Sequence, residues 1–77
     1  MRFYYTFGTS PTQPYMGGWV EVIADNRSEA NAKFRTKFPD KDNDILNCAF
    51  IYDEDRWINT DMYHEGNLGA RCHEVIT

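Results

Sequence analysis

The sequence predicts an α+β domain in the order ββαββ, an antiparallel sheet with one main helix packed on one face. Three observations predict it: alternating aromatic stretches at Arg2 to Phe7 and Trp19 to Ala24, a capped helical pattern between Asp25 and Pro39, and two later strand-like runs. The 77 residues are read as one domain, 1–77, because a chain this short buries only about 60% of the surface it exposes when unfolded.

In the first strand, Phe3, Tyr5 and Phe7 face one side while Arg2, Tyr4 and Thr6 face the other, and Gly8 ends the run. Gly8 to Gly18, with Pro11, Pro14 and Gly17, is richer in turn formers and longer than a tight hairpin, and reads as an exposed loop. Trp19 to Ala24 is the second strand and the expected partner of the first, with Val20, Val22 and Ala24 opposite Trp19, Glu21 and Ile23. Asn26 followed three residues later by Glu29 makes an approximate capping box ahead of Ala30, Phe34 and Phe38 at helical spacing. Glu29 and Lys33 form an i,i+4 pair, Lys33, Arg35 and Lys37 suit the C-terminal end of the helix dipole, and Pro39 stops the helix.

After a polar loop from Asp40 to Asp44, Ile45 to Tyr52 reads as a central strand and Asp53-Glu54-Asp55 as a turn. Trp57, Ile58, Met62 and Tyr63 fit a short helix or irregular segment, Gly66 to Gly69 a turn, and Arg71 to Ile76 the last strand. One helix covers one sheet face, which leaves Tyr4, Trp19 and Ile23 to be covered. Either the Trp57 to Tyr63 segment folds over them or a second chain does.

With 42% hydrophobic and 16% aromatic residues the chain falls among globular sequences. It has neither a membrane-length apolar run nor the start of a signal peptide, and only two cysteines, Cys48 and Cys72, so a cytoplasmic protein with reduced thiols is expected. The Asn26-Arg27-Ser28 triplet, though it fits a glycosylation pattern, then reads as helix-start chemistry. A net charge of −4 argues against direct nucleic-acid binding, which needs clustered Lys and Arg. The charge is uneven: residues 1–39 carry net +2 and residues 40–77 net −6.

Motifs for chemistry fall short. Asp40, Asp42 and Asp44 copy the opening of a calcium loop, but Ile45 stands where that loop needs Gly and Ile51 where it needs Glu. Cys48, His64, Cys72 and His73 are zinc-ligand types without a local chelate, and nothing orients a Cys72–His64 nucleophilic pair. With no nucleophile elbow, phosphate loop or dinucleotide fingerprint, no catalytic residue, metal or cofactor is expected, Cys48 is placed in the core, and His64 and His73 are placed on the surface. The acidic cluster remains. Carboxylates spread over loops and strand ends can stand in for DNA phosphates on a basic channel of another protein, with aromatic residues as anchors.

The signatures Tyr5-Thr6-Phe7-Gly8-Thr9, Val22-Ile23-Ala24-Asp25 with Glu29-Ala30, Cys48 to Glu54 with Trp57, and Asn67-Leu68-Gly69 with Cys72 to Ile76 resemble small phage and prophage proteins of Firmicutes. The resemblance spans most of the chain, marks strand ends and a helix cap, and carries no catalytic residues to transfer. Small phage accessory proteins include inhibitors of bacterial defence such as anti-CRISPR proteins, several of them acidic. The expectation is therefore a non-enzymatic phage accessory protein that inhibits a host protein, such as a CRISPR effector nuclease, without touching nucleic acid or membrane. Its expected partner-binding residues are Asp40, Asp42, Asp44, Asp53, Glu54, Asp55, Trp57, Asp61, Tyr63 and Glu65, with Met62 as a further anchor. The alternative is a structural or regulatory module that forms a homodimer through its exposed sheet face.

Overall fold

The computed structural model describes residues 1–8, 15, 17–40, 45–64 and 72–77, without the side chains of Met62, His64 and Cys72. Its elements run β1 (Arg2–Thr6), β2 (Trp19–Ile23), α1 (Arg27–Lys37), β3 (Phe50–Asp53), α2 (Glu54–Trp57), α3 (Asp61–His64) and β4 (Cys72–Ile76). The α+β class is as expected, but the order is not ββαββ, because helical turns stand between β3 and β4.

The sheet has the order β3-β1-β2-β4 and is mixed rather than antiparallel. β1 pairs antiparallel with both β2 and β3, whereas β4 runs parallel to β2. A parallel partner needs a long crossover, and the chain between β2 and β4, which carries α1, β3, α2 and α3, provides one. The run expected as a central strand over Ile45 to Tyr52 becomes a terminal one. The Cys48 amide donates to the Leu46 carbonyl at 2.8 Å and folds the chain back on itself, so pairing with β1 resumes only where the Ala49 amide meets the Thr6 carbonyl at 2.7 Å.

The α1 start is made as its sequence suggests: Asn26 is extended and its Oδ1 accepts the Glu29 amide at 2.8 Å. Lys33 Nζ pairs with Glu29 at 3.1 Å and donates to the Ile23 carbonyl at 2.9 Å, tying helix to sheet. Ala30 and Phe34 bury against Phe3, Tyr5, Phe7, Val20 and Val22. The Phe34 ring stacks on Tyr5 at 4.3 Å, and the Tyr5 hydroxyl donates to Asn31 Oδ1 at 2.7 Å, so this ring is buried without losing its hydrogen bond. Cys48 is a free thiol, half-buried against this cluster.

The loop after β1 is closed at its base by the Gly17 amide donating to the Gly8 carbonyl, both glycines having positive φ. Tyr15 turns back into the domain, edge-on to Phe7 and Phe38 and stacked on His73 at 4.2 Å. Residues 9–14 and 16 of this loop and the Gly66 to Gly69 turn lie outside the described residues.

The centre of the opposite sheet face is covered from within the chain. Trp57 of α2 is 2% exposed, stacks on Tyr4 with centroids 4.4 Å apart and rings 5° from parallel, and meets Trp19 edge-on at 5.0 Å. Tyr52 closes the cluster at 5.7 Å. The Trp57 segment thus covers Tyr4 and Trp19, while Ile23 stays half-buried outside this cluster.

Deleting a buried indole of this kind costs about 3–5 kcal/mol. Trp57→Ala is expected to lower the urea unfolding free energy by that amount, while Ala in place of the cap residue Asn26 costs about 1 kcal/mol. A Trp57→Ala loss smaller than the Asn26→Ala loss would show that the second face contributes little.

Candidate functional site

The corner where β3 passes into α2 and α3 collects much of the charge that has no ion pair among the described residues. Asp53 ends β3 and caps α2, its Oδ1 accepting the Arg56 amide at 2.9 Å. Glu54 Oε1 accepts the Arg2 amide at 2.7 Å, which pins the start of α2 to the start of β1. The Thr60 hydroxyl donates to the Trp57 carbonyl at 2.7 Å and accepts the Tyr63 amide at 3.2 Å, joining α2 to α3 through one side chain.

Between these elements opens a groove of about 620 Å³ lined by Phe50, Tyr52, Arg56, Asn59, Thr60 and Asp61. Phe50 is 47% exposed and packs on Tyr52 at 4.6 Å; Tyr63 is 42% exposed. Asp53, Glu54 and Asp55 border a smaller hollow beside Met1.

The expected site residues divide. Asp53, Glu54, Asp55, Asp61 and Tyr63 follow one another along the end of β3, α2 and α3, the first three at the hollow beside Met1 and Asp61 at the groove. Asp40 does not join them. It follows α1, which packs on the other sheet face, and both its carboxylate oxygens accept from Arg35 Nε, at 3.0 and 3.1 Å. Asp42, Asp44 and Glu65 lie outside the described residues, as does the Met62 side chain. Trp57, expected as an exposed anchor, spends its surface on Tyr4 and Trp19 and supports the corner from beneath.

Phe50 takes the exposed aromatic position instead, with Arg56 beside it; neither was singled out from sequence. The signal for Phe50 was weak, since an alternating run does not say which strand ends up at the sheet edge. Among the described residues no group of three or more His, Cys, Asp or Glu is arranged to hold a metal, and His73 lies exposed against Tyr15. The side chains of His64 and Cys72 lie outside the described residues.

Four carboxylates in the described set are neutralised by ion pairs: Glu21 with Arg2, Glu29 with Lys33, Asp40 with Arg35 and Glu74 with Lys37. Asp53, Glu54, Asp55 and Asp61 have no such pair among the described residues. Arg56 is the one cation between Asp53 and Asp61, so this stretch carries net −3. Comparison with family models, with curated proteins and with solved structures gives no match. Among the described residues no helix is long and apolar enough to cross a membrane.

Tyr4, directly beneath this corner, has its phenol pushed up to about 12 by burial and by the nearby Glu21 and Glu54 carboxylates. Burial likewise raises the Tyr5 phenol, and pushes the Cys48 thiol up to about 11. The fold favours the neutral forms, so their contribution is whole below the ordinary pKa values of 9.0 for the thiol and 10.0 for the phenols. It falls as the pH rises toward about 12. Denaturant midpoints measured across this alkaline range should decline, and Tyr4→Phe should make the decline shallower. An unchanged slope in Tyr4→Phe would contradict the assignment.

Proposed function

We propose that this chain is a non-enzymatic binding protein that places its α2–α3 corner on a basic, nucleic-acid-contacting surface of another protein and competes with nucleic acid there. In the phage setting that the sequence resemblance implies, the partner is a host defence protein and the effect is inhibition. One observation carries the reading: among the described residues the carboxylates of Asp53, Glu54, Asp55 and Asp61 have no ion pair, Asp61 lining the groove that holds Phe50 and Tyr52 and the other three bordering the neighbouring hollow. Unpaired charge supplies long-range steering toward a surface of opposite sign, and the Phe50 and Tyr52 rings in the groove supply contact area once the surfaces meet.

Asp55 and Asp61 give the cleanest test because their carboxylates make no hydrogen bond within the described structure. The immobilised protein is expected to retain a nucleic-acid-binding protein from bacterial lysate, and duplex DNA or raised salt is expected to release it. The Asp55→Lys/Asp61→Lys double variant is expected to lose binding by at least about tenfold, since rim charge reversal acts on both association rate and complementarity. Retention indifferent to DNA, salt and both substitutions would overturn the reading.

A further inference from the structure

Six basic side chains lie among the described residues, and four of them, Arg2, Lys33, Arg35 and Lys37, are held in ion pairs. The other two, Arg27 and Arg56, have neither an ion pair nor a side-chain hydrogen bond among the described residues. They belong to different helices, α1 and α2, yet both border one cleft of about 420 Å³. Between the guanidinium groups its walls are apolar: Ile45, Leu46, Phe50 and Ile51. Ile45 is 64% exposed, so this is open apolar surface bracketed by two cations that have no ion pair among the described residues, in a chain of net charge −4.

The placement of the cleft follows from the topology. α1 packs on the sheet face that carries Tyr5, and α2 on the face that carries Tyr4. β3 is the terminal strand. A cleft bordered by residues of both helices and by Phe50 and Ile51 therefore wraps the outer edge of the sheet at β3. Helix stability does not account for Arg27, which stands at the first position of α1, where the dipole disfavours a cation.

We propose that this cleft docks an extended, acidic and apolar segment of a partner protein, laid along β3 as an added strand. A terminal strand offers backbone donors and acceptors along its outer edge. Side chains of an added strand point alternately to the two faces, so carboxylates at neighbouring positions reach Arg27 on one face and Arg56 on the other. The apolar residues of the segment cover Ile45 and Phe50. A long polyanion such as nucleic acid fits less well, because Asp53, Glu54 and Asp55 continue from the end of β3 and repel it. This surface has the sign opposite to the acidic corner, and its test does not depend on that corner having a partner.

The probe is a short fluorescent peptide with an adjacent Glu pair flanked on both sides by Val and Ile, titrated with the full chain and followed by anisotropy. Saturable binding is expected, weakened about tenfold by Arg27→Gln, by Arg56→Gln and by changing the peptide's Glu pair to Gln, as for loss of one charge-assisted contact. Phe50→Ser is expected to weaken it as well. Both arginines are exposed, and circular dichroism of the variants checks that the fold is kept. The proposal is overturned by absence of binding, by equal binding of the Gln peptide, or by arginine variants that bind like the parent. It is also overturned if the arginine substitutions instead abolish binding of a single-stranded oligonucleotide, or abolish a concentration-dependent dimer seen by sedimentation, while the peptide does not bind.

Discussion

The stack of Trp57 on Tyr4 is the contact on which the rest of the structure depends. A four-stranded sheet has two faces, and an 11-residue helix with Ala30 and Phe34 as its buried residues can cover one. The other would expose Tyr4 and Trp19 to water at the centre of the sheet. One indole at 4.4 Å from Tyr4 and 5.0 Å from Trp19 removes that exposure. Parallel aromatic packing of this kind contributes about 0.5–1.5 kcal/mol beyond the area it buries. A four-residue helix has almost no stability of its own. α2 exists because Trp57 anchors its end, Asp53 caps its start, and Glu54 ties it to the Arg2 amide.

That anchoring decides what the surface looks like. Because Trp57 faces inward, the remaining residues of α2, Glu54, Asp55 and Arg56, face outward from a fixed support and hold their positions. Most of the chain's other described charges cancel in pairs across helix and sheet, and such exposed pairs contribute little to stability. Among the described residues, the charged side chains left without an ion pair are, apart from Asp25, carboxylates at the end of β3 and on α2 and α3 and the two guanidinium groups that border the sheet-edge cleft. Arg56 belongs to both surfaces, so a partner on one alters the field felt at the other.

Where local chemistry decides, the sequence was sufficient. Alternation in Arg2 to Thr6 and Trp19 to Ile23 marks β1 and β2 and assigns their faces correctly, and the Asn26 cap with the Glu29–Lys33 pair marks α1. Strand order was not legible, because it is set by pairing between residues far apart. Nothing local to Cys72–Ile76 says that it lies parallel to β2, and nothing local to Phe50–Asp53 says that it ends the sheet. The site divides the same way. Asp53, Glu54 and Asp55 are visible as an acidic turn, but their roles as cap and tether depend on the Arg56 and Arg2 amides. The aromatic anchors exchange places for one reason: Trp57 is turned onto Tyr4, while the turn at Leu46 to Cys48 leaves Phe50 at an uncovered edge.

If Trp57 holds the corner in place, then loosening it should release α2 before the sheet. Amide hydrogen exchange in a Trp57→Phe protein, which keeps a ring over Tyr4 but less of it, measures this directly. The Arg56 and Ile58 amides, bonded to Asp53 Oδ1 and to the Glu54 carbonyl, are expected to lose protection well before the β1–β2 amides do. Protection of those two amides unchanged from the parent, or lost only together with β1 and β2, would contradict it.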